Sequence, residues 1–221
     1  MVKRIDHLIC QVADIHAAHE YLKSLGFPES WPIGPFWPHA LTSGIAIGGV
    51  NLELMQPEEG APERATIDMI VFEPYDTERN FHELQSAGFE CHIFDKIEPD
   101  PELLALRGFD AAKAELPQRI CRNILFDKAT AIPMFFCEYV PFLRQRLGPQ
   151  NPALGSPYGE VVALSLQTPD PELAWREWDL MGVPDAISLS IQKGPSRRIT
   201  EIQVEAGPVP WSGFSKTFDF V

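Results

Sequence analysis

The chain has 221 residues, 31 acidic and 18 basic, which gives a formal net charge of −13 and a pI of about 4.8. This negative balance, without a basic stripe, argues against nucleic-acid binding, and no apolar run approaches the roughly 18 residues of a membrane-spanning helix. Apolar residues make up 45% of the chain, enough for a globular core, and the amino terminus lacks a signal-peptide pattern, so the sequence predicts a cytoplasmic protein.

Three segments of the chain share one plan: residues 5–27, 67–89 and 161–183 align without a gap at offsets of 62 and 156. Each begins with a strand-like run of β-branched and aliphatic residues. An aspartate suited to N-cap a helix follows, and a glycine suited to a left-handed C-cap comes near the helix end. The aligned positions are Asp14, Asp76 and Asp170, and then Gly26, Gly88 and Gly182.

Further strands are predicted after each helix. In the first segment a Pro/Trp-rich stretch, 28–38, precedes SGIAI and VNLELM, which flank the hairpin signal Gly48-Gly49. In the second, ECHIFD, ICRNILF and PMFFCEY have strand composition, and residues 95–119 interrupt them as an insertion. In the third, AISLSIQ and ITEIQVEA flank a polar turn. The repeating unit is therefore β-α-β-β-β, with a third copy that is incomplete.

The sequence thus predicts an α+β protein in four parts. Residues 1–60 form the first unit and residues 61–141 the second. Residues 142–158 form a linker, and residues 159–221 form a partial third βαββ unit with a tail. We expect the tail, 207–221, to pack along the surface. The four cysteines form no C-x-x-C pair and are expected to be reduced and mostly buried.

Tandem units of this kind resemble the vicinal oxygen chelate superfamily. It includes glyoxalase I, extradiol dioxygenases and the bleomycin-resistance proteins. IDHLICQVADIHAAHEYLKSLGF is similar to that family's first strand and helix, and VNLELMQP to its fourth strand. AIPMFFCEYVP followed by PQNPALG is similar to the second-unit ending of a glyoxalase-like subgroup. The resemblance implies paired units whose mixed sheet curls into an open barrel, with the helices outside.

The resemblance also implies a divalent metal (Zn, Fe(II), Mn or Ni) held inside the barrel by the first and fourth strands of each unit. His7 and Glu53 match the two first-unit ligands. In the second unit Met69 stands at the position that matches His7, and methionine does not suit such metals. Glu138 is the best match to the last ligand, although its register is uncertain by one residue. The matching position in the third segment is Ala163.

Other residues are candidates for the same pocket. His39, in the loop before the third strand, or His92, on a strand of the second unit, could replace the missing histidine. Trp37 belongs to a Pro/aromatic loop that could cover an apolar or aromatic substrate. Met69 and Cys137 are expected to line the pocket, the latter as a buried thiol.

Two functions remain open from the sequence. One is a metal-dependent lyase, isomerase or ring-cleaving dioxygenase that acts on a small organic molecule with adjacent oxygens, in which Glu138 could leave the metal and serve as general base. The other is a metal-free binding protein for a drug or aromatic metabolite, as in bleomycin resistance, which the methionine at position 69 favours. A homodimer is possible in either case.

Overall fold

The computed structural model describes residues 1–205 except 111, 114, 156–157 and 185–186. The predicted packing of the tail falls outside these residues. No helix among the described residues is both long and apolar enough to cross a membrane.

Both predicted units are present. The first consists of β1 (Val2–Gln11), α1 (Ile15–Ser24), β2 (Glu29–Trp37), β3 (Ala40–Ala46) and β4 (Asn51–Pro57). The second consists of β5 (Thr66–Pro74), α2 (Thr77–Ser86), β6 (Cys91–Glu98), α3 (Pro101–Leu106), β7 (Gln118–Phe126) and β8 (Met134–Tyr139). The short helix α3 lies in the predicted insertion.

The rest of the described chain forms a helix and a partial third unit: α4 (Pro141–Leu147), β9 (Val161–Thr168), α5 (Pro171–Met181), β10 (Ser188–Lys193) and β11 (Arg198–Val204). The predicted linker thus begins with a helix, and its buried Leu143 and Leu147 belong to the apolar cluster around the pocket described below.

The repeat helices begin where the aligned aspartates predict. The carboxylates of Asp14, Asp76 and Asp170 accept hydrogen bonds from backbone N–H groups three residues later. These groups would otherwise lack a partner in the first helical turn.

The two units meet through their first strands. β1 and β5 pair antiparallel, with Leu8 opposite Ile70, His7 opposite Val71 and Ile9 opposite Met69. Because Leu8 and Ile70 are counterparts at the repeat offset of 62, this pair marks a local pseudo-twofold axis. Each unit places its last strand in parallel beside its first, β4 beside β1 and β8 beside β5.

The third segment joins the sheet beside β5. The strand β11 contacts β5 through one pair, Ile199 and Ile67, and β9 and β10 follow it outward. The result is an open, mixed sheet of eleven strands with helices, so the predicted α+β fold is confirmed.

Alternation along the strands separates two apolar clusters. Leu8 and Leu52 belong to the larger cluster, which includes residues of α1, α2 and α5. Ile9, Val71 and Phe135 belong to a smaller cluster, here called the inner cluster. His7 shares the face of Ile9, and Glu53 lies between Leu52 and Leu54 of the larger cluster, so both polar side chains project to the inner face.

Candidate functional site

His7 and Glu53 come together on neighbouring strands. In the parallel pairing of β1 with β4, His7 lies opposite Asn51 and Ile9 opposite Glu53. The Nε2 atom of His7 is 3.3 Å from Oε2 of Glu53. Both residues are buried, with exposed fractions of 2% and 4%. The two first-unit residues that the sequence singled out therefore form a buried pair.

A second carboxylate, that of Asp6, contacts the imidazole of His7 at its other ring nitrogen and orients it. Oδ2 of Asp6 is 2.8 Å from Nδ1 of His7, so Nε2 is directed towards Glu53. Asp6 is in turn bound by Arg4, whose Nε lies 2.7 Å from Oε2 of Glu73. A line of alternating charges therefore leads from Glu73 to Glu53 and fixes the ring of His7.

The surroundings raise the pKa of His7 and lower the pKa of Glu53. Burial opposes the imidazolium, but the hydrogen bonds and charges of Asp6 and Glu53 outweigh it and raise the pKa of His7 to about 9. Burial alone would raise the pKa of Glu53, but His7 together with Lys96 and Arg107 holds it below its ordinary value. Near pH 7 the pair is therefore an imidazolium beside a carboxylate.

Trp37 contacts the His7–Glu53 pair, because its Nε1 donates a hydrogen bond of 3.1 Å to Oε1 of Glu53. His7, Glu53 and Trp37 line a cavity of about 30 Å³ together with side chains from both units. Its apolar wall includes Trp31, Phe36, Ile120, Phe135, Leu143 and Leu147. Its other polar lining groups are Thr42, Lys96, Arg107, Asn123, Tyr139 and the thiols of Cys121 and Cys137. This volume holds a water molecule, so an organic ligand requires side chains to move.

The second unit brings no metal-binding side chain to the matching positions. Leu8 pairs with Leu52 in the first unit, and its counterpart Ile70 pairs with Met134 in the second. The counterpart of Glu53 is therefore Phe135, not Glu138. Met69, the counterpart of His7, packs against the inner cluster but does not line the cavity.

Glu138 faces away from the pair. Its neighbours Cys137 and Tyr139 line the cavity, so the alternation of side chains along β8 turns Glu138 to the other side. There it accepts hydrogen bonds from Thr77 and from Nη2 of Arg144, the latter at 3.0 Å. The structure thus does not bring this predicted ligand and general base to His7 and Glu53.

The two substitute histidines are also elsewhere. His39 is 86% exposed at its side chain and lies 3.1 Å from Glu58, and His92 is 54% exposed and lies 2.6 Å from Asp127. Each binds a surface carboxylate instead of completing the pair. Trp37 and Cys137 line the cavity.

The donor set does not fit the four-ligand metal centre that the resemblance implies. Two of the four positions carry donors, His7 and Glu53, and the other two carry Met69 and Phe135. Among the described residues, no group of three or more His, Cys, Asp or Glu side chains is placed to hold a metal ion. The cations of Lys96 and Arg107 also act on Glu53, which opposes a further positive charge there.

Several pocket residues escaped the sequence reasoning. Lys96 and Arg107 lie in the stretch interpreted as an insertion, where no periodicity indicates which side chains turn inward. Asn123 lies on the predicted strand ICRNILF, where a polar residue in an apolar run was the available signal. Thr42 lies just before the predicted strand SGIAI, so that signal did not include it.

Comparison with known proteins gives structural matches alone. Neither protein-family models nor curated proteins match the chain. A hypothetical protein from Staphylococcus aureus superposes with a TM-score of 0.67 at 10% identity, over 95% of this chain and 93% of that one. A variant of homoprotocatechuate 2,3-dioxygenase from B. fuscum superposes with a TM-score of 0.53 at 13% identity, over 92% of this chain and 56% of that one.

At these identities the likeness concerns the fold. Homoprotocatechuate 2,3-dioxygenase is a member of the glyoxalase and extradiol dioxygenase superfamily. A TM-score of 0.53 over 92% of this chain indicates a common fold, so this chain has the vicinal oxygen chelate fold.

Proposed function

We propose that the protein is an enzyme that moves a proton on a small organic substrate in the cavity, with His7 and Glu53 as its acid–base pair. The observation that carries this proposal is the buried contact of 3.3 Å between Nε2 of His7 and Oε2 of Glu53. The reaction class is an isomerisation or elimination beside a carbonyl group. Among such substrates, 2-oxo acids have the adjacent oxygens that the family resemblance suggests.

The lowered pKa of Glu53 keeps its carboxylate ionised near pH 7 and therefore able to accept a proton. The carboxylate of Glu53 accepts the proton from the carbon next to the carbonyl. The electron pair of that C–H bond forms the new C=C bond, and the carbonyl oxygen becomes an oxyanion. The N–H of His7 stabilises this oxyanion in a buried site, while Asp6 keeps the ring in place.

Proton exchange with solvent tests this proposal without knowledge of the full reaction. We expect the protein to catalyse exchange of the C3 protons of 2-oxo acids, such as 2-oxo-4-phenylbutanoate, in D₂O, measured by proton NMR. The Glu53→Gln variant removes the base and is expected to lower the rate at least 100-fold, within the range typical of general base catalysis.

A metal-dependent enzyme, with the metal classes named above, is the second candidate. The 3.3 Å separation of two donor atoms is compatible with both of them binding one ion, and the contact of Asp6 with Nδ1 is typical of metal-bound histidines. With two protein donors, such an ion would depend on substrate oxygens for its other ligands.

Metal analysis separates the two candidates. We expect the purified protein, offered Zn, Fe(II), Mn and Ni in turn and then desalted, to retain less than 0.1 equivalent (about a tenth of one site) because two donors hold an ion weakly. Stoichiometric metal that is lost in His7→Ala and kept in His39→Ala would favour the second candidate instead. Ligand binding without any exchange would favour the metal-free binding protein.

A further inference from the structure

Among the described residues, two cations line the cavity without a direct ion pair to a carboxylate. Nζ of Lys96 lies 3.7 Å from the ring centroid of Trp37, and Cζ of Arg107 lies 4.3 Å from that of Phe36. Both donate to the carbonyl oxygen of Phe36, Arg107 through Nη2 at 3.4 Å. Within the described chain neither forms an ion pair with an acidic side chain, although both act on the charge of Glu53 and Glu98 also acts on Lys96. In a protein with 31 acidic residues and 18 basic ones, two such cations in one pocket require an explanation.

The cations also crowd each other. Burial, and then the charge of Arg107, lower the pKa of Lys96 to about 8, although the charges of Cys121, Glu53 and Glu98 act in the opposite direction. An anion placed between Lys96 and Arg107 would reduce the cost of burying these two charges and would form charge-assisted hydrogen bonds with both.

Neutral polar groups in the same cavity lack partners as well. Thr42 is 0% exposed and Asn123 is 1% exposed. The Thr42 hydroxyl, both polar atoms of the Asn123 amide and Nε of Arg107 are buried and make no hydrogen bond of ordinary geometry within the described residues. The Asn123 amide has the thiol of Cys121 as a neighbour and, after Cys137, helps to lower the pKa of that thiol. Buried polar groups in folded proteins almost always have partners, so these four atoms point to a ligand that supplies them.

An apolar groove continues outward from the cations. It has a volume of about 360 Å³ and shares Phe36, Trp37 and Lys96 with the inner cavity. Phe94 and Ile97, exposed by 42% and 46%, form part of its wall, and Glu98 contributes a carboxylate to the same lining. A ligand with a charged head at Lys96 therefore has room for an apolar body on the other side of Trp37.

We propose that the pocket takes an organic carboxylate, whose carboxylate group lies between Lys96 and Arg107 and whose apolar or aromatic body lies along the groove. The inference rests on the proposed function, since it names the substrate class of that site. The planar fork of Arg107 matches the two oxygens of a carboxylate. Thr42 and the amide nitrogen of Asn123 donate to oxygens of the same ligand.

Calorimetric titration with a carboxylate that has no reactive carbonyl tests the site by itself. The probe is 3-phenylpropionate, and its neutral match is 3-phenylpropionamide. We expect the acid to bind and the amide to bind at least tenfold more weakly. Lys96→Met and Arg107→Gln should each weaken binding of the acid at least tenfold, whereas Lys96→Arg should retain it.

The control is Lys128→Met, because Lys128 is 73% exposed and paired with Glu90 on the surface. This variant should bind within twofold of the unchanged protein, and thermal unfolding shows whether each variant is folded. Equal binding of acid and amide, no binding of the acid, or full affinity in folded Lys96→Met and Arg107→Gln would each overturn the inference. Binding of phenylphosphonate without binding of 3-phenylpropionate would also overturn the inference.

Failure of this inference is distinguishable from failure of the proposed function. Glu53→Gln should bind 3-phenylpropionate at least as well as the unchanged protein, since it removes a negative charge near the ligand. Its defect is confined to proton exchange. Exchange that depends on Glu53, combined with no carboxylate binding at Lys96, would leave the proposed function standing and refute the carboxylate site.

Discussion

At the scale of single residues, the charge of His7 couples the candidate site to stability. The pKa of His7 is raised from 6.5 to about 9 in the folded chain, because the bonds to Asp6 and Glu53 outweigh burial. A raised pKa stabilises the fold fully below the unfolded value, and that stabilisation is lost as the pH rises through the folded value. Between pH 7 and pH 8 the free energy of unfolding should therefore fall by about 1 kcal/mol through this group.

Urea denaturation of metal-free protein at several pH values checks this prediction by comparison with His7→Gln. The variant should be less stable throughout, because Asp6 and Glu53 lose their partner, but its free energy of unfolding should lack this fall. The contribution of Lys96, whose pKa is lowered to about 8, is common to both proteins and cancels. Equal pH dependence in the two proteins would mean that His7 is not charged in the fold.

At the scale of elements, α5 holds the segment that leads into β8. Glu177 is buried, and its two carboxylate oxygens accept from the backbone N–H groups of Ala131 and Ile132 at 2.9 and 2.8 Å. Those residues immediately precede the strand that carries Cys137 and Tyr139. The third segment thus supports the pocket without lining it.

Glu177→Ala should therefore lower the free energy of unfolding by about 2–4 kcal/mol, because it leaves two buried N–H groups without an acceptor. Arg176→Ala, at an exposed position of the same helix, should change it by less than about 0.5 kcal/mol. Both values come from urea denaturation. A change of similar size in the two variants would show that the bonds of Glu177 do not anchor this segment.

The repeat allowed the helices and strands to be predicted from the sequence. The pairing register of the strands, which the sequence does not show, limited the prediction of the site residues. The aligned aspartates and glycines placed the helices, and the offset of 62 identified Met69 as the counterpart of His7. The offset could not place Glu138, because the second unit has an insertion and the register of β8 is set by its pairing with β5. Phe135 therefore takes the matching position. The contacts of Lys96 and Arg107 depend on how the insertion folds back, which no local pattern indicates.

At the scale of the whole molecule, the two units and α4 enclose the cavity that holds His7 and Glu53, and the partial third unit joins the sheet beside β5. The β1–β5 junction brings the units together, and α3 and α4 cover the inner face. The unit boundaries and the homodimer remain predictions. In this account the two units have different roles. The first unit supplies His7 and Glu53, and the second supplies Lys96, Arg107 and Asn123.

The most direct test of this account is the rate of solvent deuterium exchange into 2-oxo-4-phenylbutanoate, measured side by side for the unchanged protein, Glu53→Gln and Glu58→Gln. Glu58 is a matched carboxylate on the surface, paired with His39. The account predicts catalysed exchange in the unchanged protein and in Glu58→Gln, and a rate near that of the uncatalysed reaction in Glu53→Gln. Equal catalysed rates in all three proteins would contradict it.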